Sequence, residues 1–335
     1  MQDENARTVL PSTPSETAAV VIASRETAHT LLATLDALQR ALQPPALIDV
    51  VVNGNPALAS QLLTLLRSRQ LLQRSTSSAL RLWTLALGDK AHSMNEYLHR
   101  IWPGHVPAYF VDGYVRVRAD APALLAQALA ADPGALAAAG VPGSGRTAAA
   151  MRAQMRDEGG LHGNFFLLGV PALKALRAMD FRLPVGLYRT DATLGAALSF
   201  GLDPSKNGWE PLRFIHVEDR ARWDVDAEPW WRLSEIRTRW RRRQRQAQGA
   251  LENRAVRNLY AERRSAVASL PATVRDLVLR WQAADTADCE ALLGTRRQIR
   301  RAFELMVVPR DGASAQHPPE LLFDSDASGT AAGTA

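Results

Sequence analysis

Short, continuously apolar runs alternate with longer amphipathic ones, and this alternation restricts the fold more than any other feature. "AAVVIAS" (Ala18–Ser24), "LIDVVV" (Leu47–Val52), "ALRLWTLAL" (Ala79–Leu87) and "AYFV" (Ala108–Val111) predict four strands. The stretches between them, "TAHTLLATLDALQRAL", "ALASQLLTLLRSRQLLQ" and "AHSMNEYLHRIW", carry apolar residues at helical spacing. The strands lack apolar–polar alternation, so both of their faces are buried. Strands of that kind belong in a parallel sheet covered by helices. The expected class is α/β: a Rossmann-like, mostly parallel central sheet with helices on both faces.

Ligands of such sheets bind beyond the carboxyl ends of the strands. Those ends carry Ser24, Arg25 and Glu26, then Asn53-Gly54-Asn55, then Gly88 to Lys90, then Asp112. Singly, each has an ordinary reading. Asp112-Gly113 and Asn53-Gly54 are common turn pairs, and Lys90 is a solvated loop lysine. Together they place polar or glycine residues at four successive strand ends, suited to one crevice.

Beyond residue 120 the pattern continues less cleanly. "ALAAAGV", "LHGNFFLLG" and "WEPLRFIHV" read as strands, and "PALKALRAM" and "TDATLGAALSFGL" as helices. Asp191, at the start of the last of these, is on its own an N-terminal capping residue. An arginine-rich helix is expected from Pro229 to about Arg264, interrupted near Gly249, with one or two more helices over 271–307.

Of the 335 residues 47% are hydrophobic, enough for a sizeable core, and the single cysteine, Cys289, excludes an internal disulfide framework. The polar N-terminus has no signal pattern, and no run of about 18 uncharged apolar residues occurs, so a cytoplasmic chain without a membrane span is expected. The net charge of +6 arises locally. Arg232–Arg264 holds 11 arginines and 3 glutamates, a net of +8, which leaves −2 for the rest. Such an element is either a solvated helix or a contact for an anionic surface. With no nucleic-acid fold signature beside it, no nucleic-acid partner is expected.

The order of these features resembles the inverting family-2 glycosyltransferases of the GT-A fold. "VVIASRE" is similar to the family's opening "IIPARNE", "IDVVVNGN" to "EIIVVDDGS", and "GDKAHSMNEYL" to "GKAxALNxGL". "YFVDGY" stands at the D-x-D position, "YRTDATLGAAL" at the turn and helix that carry the catalytic base, and "IRTRWRRRQRQAQG" near "QRxRWxxG". The matches span residues 18–249.

The resemblance implies sugar transfer from a nucleotide diphosphate sugar to an acceptor hydroxyl with inversion, in polysaccharide or glycolipid synthesis. Ser24, Arg25 and Glu26 would border the nucleoside, Asn53 would face the base, and Lys90 would lie near the nucleotide. Asp191 would be the base. Asp112 would contact the ribose and hold a divalent cation, manganese or magnesium. Tyr114, however, stands where the second acidic residue belongs. Three readings stay open. A metal is held by Asp112 and the diphosphate; Lys90 or an arginine neutralises the leaving group instead; or the chain is an inactive, nucleotide-binding relative. A nucleotidyltransferase is a further alternative.

The implied organisation is a disordered 1–17, a glycosyltransferase-like domain over 18–228, a basic helical extension over 229–308 and a disordered tail over 309–335. The extension would hold the enzyme reversibly at the inner face of an anionic membrane. Two other motifs carry little. His92, Glu96 and His99 lack the zinc spacing H-E-x-x-H. Gly143, Gly145 and Ala148 fit G-x-G-x-x-A, but no acidic strand end follows about 20 residues on.

Overall fold

The computed structural model describes residues 16–68, 78–226, 234–309 and 313–326. The first half alternates as the sequence predicts: β1 (Thr17–Ala23), α1 (Ala28–Ala41), β2 (Ala46–Asn53), α2 (Pro56–Arg67), β3 (Ser78–Leu85), α3 (Lys90–Glu96) and β4 (Ala108–Asp112). Thr27 caps α1, and Asn55 caps α2 with Pro56 in its first turn. After Glu96 the helix widens into a π turn over Tyr97–Ile101.

The second half contains β5 (Val115–Val117), α4 (Ala121–Ala131), β6 (Ala137–Pro142), α5 (Ala148–Glu158), β7 (Phe165–Leu168), α6 (Val170–Ala178), α7 (Thr190–Ser199), α8 (Pro211–Phe214) and β8 (Ile215–Val225). Four helices follow, α9 (Ser234–Arg257), α10 (Val274–Ala284), α11 (Thr286–Thr295) and α12 (Arg297–Met306), and then β9 (Glu320–Asp324).

Among the described residues nine strands form one sheet in the order β5-β8-β6-β7-β4-β1-β2-β3-β9. The expectation of a mostly parallel sheet is corrected. β4-β1-β2-β3 and β6-β8 are parallel, but β7 runs antiparallel to both β4 and β6, and β5 and β9 are antiparallel edges. The physical reason is visible at β7. An apolar run such as "FFLL" specifies a buried strand but not its direction, which the preceding 159–164 loop sets.

The sheet is buried on both faces. One face packs α1, α2 and α4; the other packs α3, α6 and α7 together with α9, α10 and α12 through Leu251, Val256 and Trp281. The helices from Ser234 to Met306 therefore share a core with the sheet rather than standing apart from it. Gly249 does not interrupt α9. It admits Arg189, whose Nε lies 2.5 Å from where a Cβ would stand. The tail expected to be disordered from 309 is also corrected. Within the described 313–326, β9 pairs with β3 and buries Phe323. Residues 1–15 and 327–335, and Trp230, Trp231 and Arg232, lie outside the described residues.

An ion pair lies inside the sheet. Asp49 of β2 is fully buried, and Arg81 Nε and Nη2 reach its carboxylate at 2.7 and 3.0 Å while Trp83 Nε1 donates at 2.8 Å. Three donors compensate the desolvation that would otherwise forbid a buried carboxylate here.

Candidate functional site

The four parallel strands β4-β1-β2-β3 end together, and their ends form the crevice. Backbone approach is close. Gly113 N–H donates to Ile22 O at 2.9 Å, and a Cβ at Gly113 would lie 2.9 Å from that of Ala23. At Gly54, with φ of 60°, a Cβ would come within 2.3 Å of the Gly88 Cα. Only glycine permits the β2 and β3 loops to touch there.

Lys90 is the first residue of α3, whose N-terminus is capped by Asp89, and its Nζ lies 2.5 Å from Asp112 Oδ1 at the end of β4. The same ammonium reaches Gly163 O at 3.4 Å, and the Gly163 N–H donates to Asp191 Oδ2 at 2.9 Å. Gly163 thus sits between the lysine and the second carboxylate, with both within 3.3 Å of its missing Cβ. Burial alone would lower the Lys90 pKa. The Asp112, Asp191 and Glu26 carboxylates outweigh it and hold the group above its ordinary value, fully charged.

Asp191 lies in the first turn of α7, just after the N-cap Arg189. Among the described residues no hydrogen bond reaches its other oxygen, which is open to a ligand proton.

Glu26 folds back on its own loop, where Oε2 accepts the Ser24 and Arg25 N–H groups at 2.6 and 2.8 Å. Asn53 is buried and donates through Nδ2 to Ala23 O at 2.9 Å. Arg25 is exposed at the rim. The structure therefore brings Glu26, Lys90, Asp112 and Asp191 into one electrostatic cluster, with Ser24, Arg25 and Asn53 along its β1–β2 side.

His162 and Glu252 carried no sequence signal as site residues, and Tyr114 was marked only as standing in place of a second carboxylate. The Tyr114 hydroxyl lies 3.2 Å from Asp112 Oδ2 and 3.0 Å from Asn164 Oδ1, and burial and the Asp112 charge push its pKa far up. His162 accepts the Asn164 N–H on Nδ1 at 3.3 Å, and burial lowers its pKa, so the ring is neutral. Glu252 on α9 accepts the N–H groups of Tyr188 and Arg189, each at 2.9 Å, and the Gln248 amide at 2.7 Å. It fixes the two residues that lead into α7. The only hint of this in the sequence was a glutamate at helical spacing with the apolar Ala255 and Leu259.

A divalent cation requires several oxygen ligands. Both oxygens of Asp112 are already engaged, by Lys90 and Tyr114, and no cluster of three His, Cys, Asp or Glu side chains among the described residues is arranged for a metal. Among the described residues these side chains alone do not cage a cation, so a metal at Asp112 would depend on the oxygens of a bound diphosphate. The free space within the cluster is only about 10 Å³, so Lys90 and Asp112 close the crevice on themselves.

No family model matches the chain, and no curated protein is significantly similar to it. Solved structures do resemble it. A mannosyltransferase from Pyrobaculum calidifontis, in complex with GDP-Man and Mn2+, aligns with a TM-score of 0.52 and 16% identity over 92% of this chain and 80% of that one. The S. aureus TarS fragment 1–349, in complex with UDP-GlcNAc, aligns with a TM-score of 0.45 and 13% identity over 88% of this chain and 82% of that one. The first likeness shows that the chain shares the α/β fold of that mannosyltransferase. Among the described residues no helix is long and apolar enough to cross a membrane.

Proposed function

We propose that this chain is a GT-A glycosyltransferase that moves a sugar from a nucleotide diphosphate donor to an acceptor hydroxyl with inversion, in polysaccharide or glycolipid synthesis in the cytoplasm. The observation that carries this reading is the meeting of Lys90, Asp112 and Asp191 around Gly163 at the ends of parallel strands. The fold shared with a nucleotide-sugar enzyme supports it.

In the proposed reaction the nucleoside lies along Ser24, Arg25, Glu26 and Asn53, and its ribose lies against Asp112. Asp191 removes the acceptor proton as the acceptor oxygen attacks the anomeric carbon. The bond from that carbon to the diphosphate oxygen breaks on the opposite face, and the electron pair leaves with the diphosphate. Lys90 supplies the positive charge beside the leaving group. To do so it turns from Asp112 toward the diphosphate, because the closed pair leaves no room for both.

The test is incubation with a panel of GDP- and UDP-sugars, reading nucleoside diphosphate release. Release that depends on Asp191 supports transfer, and pyrophosphate release would point to nucleotidyl transfer instead. The closed Lys90–Asp112 pair favours one competing reading, a relative that binds nucleotide without turning it over. Nucleotide binding without release from any donor would select it.

A further inference from the structure

Two cavities of about 520 Å³ each open beside Asp191 and share the walls Ala192, Ala196 and Trp209. One runs under the 158–161 loop that leads to Gly163. The other extends between α7 and α9 over Phe200, Val256 and Tyr260. Ala192 directly follows the proposed base in α7, so the cavity pair lies one residue along that helix from the site of chemistry. We propose that this cavity pair is the acceptor site and that it selects acceptors with an aliphatic or aromatic body beside the reacting hydroxyl. The proposal rests on the transferase reading above.

The walls argue for the class of ligand. Trp209, 58% exposed and the most exposed large apolar side chain among the described residues, lines both cavities. The Trp209 ring is set edge-on to Phe200 at 5.5 Å, which fixes the indole as a wall. The Tyr260 hydroxyl is committed to Val267 O at 2.8 Å, so this residue offers the cavity its ring. Polar groups, Asn253, Arg257 and Glu158, stand at the exposed rim, and the Ser199 hydroxyl is committed to Gly195 O at 2.7 Å. A volume of this size with apolar walls and a few polar groups is the usual form of a small-molecule site. A wholly polar sugar would gain nothing from the apolar walls, whereas an alkyl or aryl group removes them from water.

The experiment compares methyl and n-octyl β-D-glucoside, below the micelle concentration of the latter, by calorimetry on the full chain. The octyl compound is expected to bind at least tenfold more tightly. Ala192→Phe, which fills the shared wall, and Trp209→Ala, which removes an exposed one, are each expected to weaken octyl binding tenfold while affinity for UDP or GDP is unchanged. Equal binding of the two glucosides, or octyl binding indifferent to both substitutions, overturns the proposal. The nucleotide arm reports separately on the transferase reading, because a wild-type chain that binds neither UDP nor GDP contradicts that reading whatever the glucosides do.

Discussion

Lys90 Nζ and Asp112 Oδ1 stand 2.5 Å apart at the mouth of the sheet, with Asp191 linked to the same ammonium through Gly163. A cation thus sits between two carboxylates. Lys90→Met removes the charge and keeps the length. Its affinity for UDP or GDP should fall about 10- to 100-fold, as expected for a lost charge-assisted contact. Unchanged affinity by calorimetry would remove Lys90 from the donor site.

Asp191→Asn keeps the Gly163 hydrogen bond and abolishes basicity. Turnover should fall about 10²- to 10⁴-fold, the usual contribution of a general base, with nucleoside diphosphate affinity unchanged. Steady-state rates beside binding titrations check this, and full activity would exclude Asp191 as the base.

Glu252 predicts a pH dependence. Burial pushes its pKa from 4.5 to about 7, against the pull of its three donors. The folded state then holds a proton that the unfolded state has lost, so stability is greatest below pH 4.5 and falls as pH rises to about 7. The fall should be roughly 3 kcal/mol. Activity should run the other way. Protonation sets an O–H against N–H donors and loosens the entry to α7, so the rate should drop below neutral pH. Glu252→Gln should flatten both profiles, which denaturation and rate measurements across pH would show.

The β9 strand supplies a test of the tail. Phe323 is 7% exposed and pairs opposite Leu82, and Ser325 Oγ accepts the Leu80 N–H at 2.9 Å. Phe323→Ala should cost about 3 kcal/mol in chemical denaturation. A cost near zero would mean that the strand does not cover β3.

Arg243, from the arginine-rich segment, and Arg297 and Arg301 of α12 line a cleft of about 230 Å³ between α9 and α12, a concentrated positive surface. The full chain should sediment with anionic but not neutral vesicles, less so as salt rises. Replacing these three arginines by glutamine should abolish this. Equal, negligible binding to both vesicle types would leave the arginines as a solvated helix face.

The sequence made the first four strands legible because each is a continuous apolar run followed by a helix, and the order alone places their ends together. Strand direction in the second half was not legible, since "FFLL" is equally apolar read either way. β9 was hidden because "ELLFD" lies among Gly, Ser and Asp residues and becomes a strand only by pairing with β3. At the site, Lys90, Asp112 and Asp191 were legible as strand ends and a helix start. Tyr114 was legible only as a departure from a second carboxylate, its reach to Asn164 being a contact between distant segments, and Glu252 was not legible, because it meets the backbone of Tyr188 and Arg189 from far along the chain.

The central claim is that Lys90, rather than a protein-held metal, meets the leaving diphosphate while Asp191 serves as base. Nucleoside diphosphate release from a GDP- or UDP-sugar, measured in excess chelator for the wild type, Lys90→Met and Asp191→Asn, tests it most directly. The account predicts substantial release by the wild type in chelator and near-complete loss in both variants. Release that vanishes in chelator and returns with manganese, or that survives in Lys90→Met, would contradict it.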